Sequence, residues 1–316
     1  MRTIQKVRVD MKKLTKMLLV SSMAILAGCG QKDDGRIKIG ASFCAFNDTF
    51  QMYMKDAMDA KAAELGDVDV VYTDGKEDIT IQLSQVENFI AQGMDSMIVC
   101  PTNGDAAKSI SDAAIKAGIS IVYLNRMPTE LPDGTYYVGS DERSAGQIQG
   151  KYIAEQLQGK GQVGVIMGIP GLDNTVKRTE GVKDILKDHP EMAVTREQTG
   201  RWMRDLGMSV AENWITSGDN MAAIIANNDD MALGAVAALE ASNMKGNVLV
   251  MGIDATPDAL AFMKDGRLDA TVFQDPVGQG AGSLMVAYNL AKKQPVEKET
   301  WIPFELVTPE NYKDYL

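Results

Sequence analysis

Short apolar runs recur along most of the chain, each followed after a polar seam by a longer stretch with apolar residues at helical spacing. Runs of this kind, bounded by Gly, Pro, Asn or Asp, read as strands buried on both faces. The amphipathic stretches between them read as crossover helices of a parallel sheet. The pattern predicts strands at Arg36–Phe43, Val68–Thr73, Ser96–Cys100, Ser120–Leu124 and Thr135–Val138. After a helix at Gln147–Gln158 it restarts with Gln162–Met167, Met192–Thr199, Ala222–Ala226, Val248–Ile253 and Asp269–Phe273. Ten strands are too many for one small sheet, and two doubly wound lobes of about five strands each fit the usual domain size. The composition break at Pro128–Gly134 and the polar stretch Gly139–Gly146 mark the first crossing between them. The fold class is α/β.

Open α/β sheets bind ligands at the carboxyl ends of their strands. Those ends carry Asn47-Asp48, Cys100, Asn125-Arg126, Asp173-Asn174 with Arg178, Trp202, Asn228-Asp229, Asp254 and Gln274-Asp275. The seam Asn227-Asn228-Asp229-Asp230, between a buried strand and an apolar helix, poses the question most sharply. Helix capping explains Asp and Asn at such seams. It does not explain two Arg and a Trp in a chain with 6% aromatic residues. Carboxylates accept from paired hydroxyls, guanidinium groups donate a planar fork, amides do both, and aromatic faces cover the C–H side of a ring. This is the inventory for gripping a neutral molecule dense in hydroxyls, and no base–nucleophile pair stands out for catalysis.

The amino-terminal residues follow a different pattern. Arg2, Lys6, Arg8, Lys12, Lys13 and Lys16 precede the apolar run Met17–Leu26, which is short for a membrane span. This is the layout of a secretory signal, with residues 1–28 removed and Met11 an alternative start. It ends in Leu26-Ala27-Gly28-Cys29, which resembles a bacterial lipobox, so lipidation is expected at Cys29, with residues 29–35 as a tether. Removing six basic residues and one acidic one shifts the chain from 32 Lys+Arg and 43 Asp+Glu to 26 and 42, a net charge of −16. That balance disfavours nucleic acid and anionic membrane surfaces. Cys44, Cys100 and the lone His189 supply neither a zinc site nor a triad, so no metal, cofactor or catalytic residue is expected.

Other motifs are structural. The GxGxxG match at 159–164 precedes a strand, so it cannot place pyrophosphate on a helix N-terminus. Gly168-Ile169-Pro170-Gly171 follows a strand but lacks the Lys-Ser/Thr of a P-loop. Met52, Met54 and Met58 read as packing residues rather than metal ligands.

Four long stretches, "FNDTF" (46–50), "YYVGSDERSAGQIQG" (136–150), "IANNDDMALGAVAALEA" (225–241) and "GIDATPDALAFMKDGRLDATVFQD" (252–275), resemble the type I periplasmic sugar-binding proteins of ABC transporters. Among these, the galactose/glucose-binding proteins are the nearest in pattern, and the similarity runs from Arg36 through "PFELVTPENYKDYL". The resemblance implies two doubly wound parallel-sheet lobes joined by a three-segment hinge. Residues 36–138 plus 276–303 would form the N-terminal lobe, and residues 139–275 plus 304–316 the C-terminal lobe. It implies a hydroxyl contact from Asp48, ring faces covered by Phe50 and Trp202, and hydrogen bonds from Arg178, Asn228, Asp254 and the hinge residue Gln274. On this reading Asn228 touches ligand and Asp229 caps the helix.

Departures from the galactose/glucose pattern are Cys100, Leu172, Asn174 and Gln274, while Arg126 and Gln274 match the ribose type. Cys100, Arg126 and Asn174 therefore join the candidate ligand residues. A calcium loop is absent, because Gln158–Gln162 is too short for one. The expected function is capture of a monosaccharide, a galactose/glucose-like hexose first and a cyclitol or pentose as alternatives, for delivery to an ABC permease and its ATPase. A sensory receptor read by a chemoreceptor or kinase is the rival, and an enzyme is not expected. The expected location is extracytoplasmic, at the outer face of the cytoplasmic membrane, with membrane contact through the lipid anchor alone.

Overall fold

The computed structural model describes residues 35–316 apart from residue 106; the expected signal, Cys29 and nearly all of the tether lie outside the described residues. Twelve strands and nine α-helices follow among the described residues. The first parallel sheet contains β1 (Ile37–Phe43), β2 (Val68–Asp74), β3 (Ser96–Val99), β4 (Ser120–Leu124) and β5 (Thr135–Gly139), with β11 (Glu299–Trp301) at its edge, in the order β11-β5-β4-β3-β1-β2. Its helices are α1 (Thr49–Leu65), α2 (Ile79–Gln92), α3 (Ala107–Lys116) and the later α9 (Pro276–Ala291). The second parallel sheet runs β7-β6-β8-β9, from β6 (Lys160–Met167), β7 (Glu191–Thr199), β8 (Ala223–Ala226) and β9 (Leu249–Met251). Around it lie α4 (Glu142–Gln156), α5 (Asp173–Leu186), α6 (Arg204–Thr216), α7 (Asp229–Ala241) and α8 (Pro257–Lys264).

Each sheet is buried on both faces, and the strand period of two sorts the side chains. In β8, Ile224 and Ala226 join one apolar cluster while Ala223 and Ile225 join the other. In β1, Ile39, Ala41 and Phe43 share a single face. The helices begin where sequence chemistry starts them. Asp48, Asp78, Asp141, Asn228, Thr256 and Asp275 each cap a first turn with a side-chain oxygen, and Pro257 and Pro276 follow their caps directly.

Three connections pass between the sheets, from β5 to α4, from β10 (Thr271–Phe273) to α9, and from β11 to β12 (Glu305–Val307). All ten predicted strands are present, with no end shifted by more than two residues, but three expectations need correction. The helix expected at Gln147–Gln158 starts earlier, at Glu142, because Asp141 caps it. The last predicted strand, here β10, pairs antiparallel with β12 and meets the second sheet through single bridges at Met251–Ala270 and Asp254–Phe273. Strands β11 and β12 were not predicted. At three residues each, half polar and partly exposed, they lack the apolar run that marks the others.

Candidate functional site

The carboxyl ends of both sheets face one cavity, lined by Asp48, Phe50, Gln51, Asn125, Arg126, Asn174, Arg178, Trp202, Asn228, Asp254 and Gln274. Nine of the ten predicted ligand residues lie there, and Gln51 and Asn125 join them. Cys100 does not line this cavity. It sits behind the wall, 1% exposed, with its Sγ 2.8 Å from that of Cys44. Leu172 packs with Trp202 in the apolar core of the second sheet.

On the first wall, Asp48 ends the β1–α1 loop. Its Oδ1 accepts from the backbone N–H of Phe50 and Gln51 at 3.0 and 3.2 Å, so one oxygen caps the helix. Gln51 donates to Asn125 Oδ1, and Asn125 donates to Gln279 at 3.0 Å, which in turn donates to Ser140 Oγ. Arg126 lays both terminal nitrogens on Glu77, at 2.9 and 2.8 Å, in a bidentate pair.

The second wall is more deeply buried. Arg178 donates from Nε to Glu142 at 2.6 Å, from one terminal nitrogen to the Asn227 carbonyl at 2.6 Å, and from the other to Gln274 Oε1 at 2.9 Å. Helices α4 and α5 carry Glu142 and Arg178. They approach closely at Gly146 and Gly181, where any Cβ would run into the backbone of the facing helix. Trp202 lies against Gly168, where a side chain would collide with the indole ring. The Arg178 guanidinium stands 5.8 Å from the centre of that ring.

The four-residue seam divides its labour differently from the sequence expectation. Asn228, not Asp229, is the cap: its Oδ1 accepts from Met231 N–H at 3.0 Å and its Nδ2 donates to the Trp202 carbonyl. It also lines the cavity, so both roles fall on one residue. Asp229 points into the protein, accepting from Thr271 Oγ1 at 2.6 Å and Thr256 N–H at 2.8 Å. Burial pushes its carboxyl up to about 7, against the pull of those donors. Asn227 accepts from Gly168 N–H, and Asp230 accepts across the cleft mouth from Thr49 Oγ1 at 2.8 Å while pairing with Arg204.

Two features of the cavity lining bear on what it could hold. First, Gln51 Oε1, Arg126 Nε, Trp202 Nε1 and Gln274 Nε2 are buried without a hydrogen-bond partner among the described residues. Buried polar atoms rarely stay unpaired, and each costs free energy. Second, Asn125 (φ 64°), Trp202 (φ 70°) and Asp254 (φ 127°) hold a backbone region that L-residues seldom occupy. Strain of this kind concentrates where side chains must be aimed. Burial, then the neighbouring Asp229, raises the Asp254 carboxyl well above the usual range, with Arg178 opposing; burial likewise raises Asp48. Glu77 and Glu142, the backing carboxylates, escaped the sequence reading because no strand-end position announces them. Asn125 was visible beside Arg126 at a strand end.

Comparison with known proteins identifies the family. A periplasmic binding protein domain model matches residues 39–295. The chain is 41% identical over 283 residues to a putative rhizopine-binding protein of Rhizobium meliloti, covering 88% of this chain and 92% of that one. It is 30% identical over 309 residues to the ribose import binding protein of Bacillus subtilis, covering 94% and 99%. A solved ABC transporter solute-binding protein from Bacillus halodurans, with bound myo-inositol, superposes with a TM-score of 0.86 at 42% identity, covering 90% and 98%. These relatives bind solutes rather than transform them, and their class works outside the cytoplasm. The chain belongs to the type I periplasmic sugar-binding proteins of ABC transporters.

Proposed function

We propose that this protein captures a six-membered polyol ring, a cyclitol of the myo-inositol kind before a hexose, and delivers it to an ABC permease. The observation that carries this reading is the set of unspent groups around the cavity. Gln51 Oε1 accepts, Arg126 Nε, Trp202 Nε1 and Gln274 Nε2 donate, and the Asp254 carboxyl lines the same cavity. A ring bearing a hydroxyl on every carbon gives and accepts at each position, and so can meet donors and acceptors all the way round. Phe50 and Trp202 supply one aromatic face from each wall. The similarity to a myo-inositol-bound solute receptor at 42% identity supports the same ring class, and moves the hexose from first place to second.

The contacts come from both sheets, so ligand stabilises the closed arrangement of the two lobes about the three connections. Residues 36–138 with 276–303, and 139–275 with 304–316, are the bodies proposed to move. Lipidation at Cys29 would hold the receptor beside its permease. Micromolar binding corresponds to about −8 kcal/mol, within reach of several charge-assisted hydrogen bonds in an enclosed cleft. Calorimetry of the mature domain with myo-inositol, glucose, galactose, ribose and xylose tests the proposal. Micromolar or tighter binding of myo-inositol, with weaker binding of the aldoses, is expected. Tight binding of glucose or galactose without a response to myo-inositol would return the hexose to first place.

A further inference from the structure

Outside the ligand cavity, the most unusual juxtaposition is the sulfur pair behind the first wall. Cys44 follows β1 and Cys100 follows β3, two adjacent parallel strands, and the backbone N–H of Cys100 donates to the Ser42 carbonyl at 2.9 Å. Both residues are fully buried and their Sγ atoms are 2.8 Å apart. The pair anchors chemistry on its far side. The Cys44 carbonyl accepts from Glu77 N–H at 2.9 Å, and Glu77 holds Arg126 in the cavity wall. The Cys100 carbonyl accepts from Gln82 Nε2 at 2.8 Å, and Gln82 Oε1 accepts from Thr102 N–H.

We propose that Cys44 and Cys100 form a disulfide in the mature protein, bracing the carboxyl ends of β1 and β3 beneath the ligand cavity. Adjacent strands already hold the two sulfurs within 2.8 Å of each other, the proximity that a disulfide requires. The extracytoplasmic side of the membrane is the compartment in which disulfides persist. The oxidant is a carrier disulfide, either an oxidised dithiol protein or a small disulfide. One cysteine thiolate attacks a carrier sulfur and releases a carrier thiolate. The second cysteine then displaces the carrier from the mixed disulfide. One Sγ–Sγ bond forms, one carrier S–S bond breaks, two electrons reduce the carrier, and the two cysteine protons end on its two thiols. In the folded protein burial holds the Cys44 thiol well above its usual range, which starves the attack of thiolate. The exchange therefore belongs to folding, before the sheet closes over the pair. The bond then encloses α1, β2, α2 and β3 in a covalent loop, which limits the unfolded chain.

The test uses the native protein, extracted from its own membranes and unfolded in denaturant with N-ethylmaleimide and no reductant. Digestion and mass spectrometry should find Cys44 and Cys100 in one linked pair, separated by reduction, with neither carrying maleimide. Quantitative maleimide on both would overturn the proposal. Thermal unfolding gives a second reading that does not depend on a variant folding. Reductant should lower the midpoint of the native protein by several degrees, and Cys44→Ala should unfold at the lower value with or without reductant. An identical midpoint for oxidised and reduced protein would remove the bracing role.

Discussion

Each wall of the cleft places a guanidinium over the cavity and backs it with a glutamate, yet the two pairs are embedded differently. Arg126 is buried, but its partner Glu77 keeps 21% of its side chain exposed at the mouth. Arg178 and Glu142 are 3% and 2% exposed, and Arg178 also bonds the Asn227 carbonyl and Gln274. A pair near water can dissolve into water when one partner goes. A pair sealed from water leaves its survivor charged and stranded. The same residue types thus form a replaceable pair on one side of the cavity and a structural keystone on the other. Arg178 ties α4, α5, the β8 end and the β10–α9 connection to one point, so the second wall is preorganised before ligand arrives.

The largest effect follows from that difference. Arg178→Met should strand Glu142 and cost about 3–5 kcal/mol of stability, seen as a fall of roughly 10 °C in the thermal midpoint. Arg126→Met should cost clearly less, because Glu77 can turn outward. Unfolding both variants without ligand checks the contrast, and equal losses would erase it.

A second prediction separates binding from folding on the same wall. Asp254 lines the cavity on this wall, and the proposed reading gives its carboxyl to the ligand rather than to the fold. Asp254→Asn keeps the shape, and Asn tolerates positive φ about as well as Asp. Calorimetry with the best ligand of the panel should show a loss of about 2–5 kcal/mol, while the unliganded thermal midpoint stays close to wild type. Unchanged affinity would take Asp254 out of the site.

How far the sequence reaches differs between elements in the same way. Strands buried on both faces were legible because an apolar run such as Ile224–Ala226 admits few other readings. Strands β11 and β12 were not, since they exist through pairing partners distant in the chain. Strand-end polar residues such as Asp48, Arg126 and Asp254 were legible because topology sends every such end to one place. Cys100 misled for that very reason: its strand end is right, but its side chain turns to Cys44. The cap was placed one residue late, on Asp229 instead of Asn228, because capping depends on where the helix starts, a matter of one residue. Glu77 and Glu142 were invisible, because a partner across 49 or 36 residues leaves no local pattern.

The smallest effect concerns a hydrogen bond between the two walls at the mouth, from Thr49 Oγ1 to Asp230 Oδ2. The hydroxyl sits on the first turn of α1 and the carboxylate on the first turn of α7, so the bond would join the two proposed lobes in their closed form. Arg204 also holds Asp230, at 2.7 Å, which keeps the carboxylate satisfied when the hydroxyl is removed. Thr49→Val deletes the donor while keeping the branched shape, so neither wall should distort. A hydrogen bond to a charged group at a partly exposed site contributes about 1 kcal/mol net, and this one counts only in the closed form. It therefore shifts the open–closed balance rather than the contacts to the ring. Stopped-flow measurement should show ligand leaving the variant severalfold faster, with binding heat and unliganded stability little changed. Release at the wild-type rate would mean that closure rests on ligand contacts alone, and that the walls meet at Thr49 without holding each other.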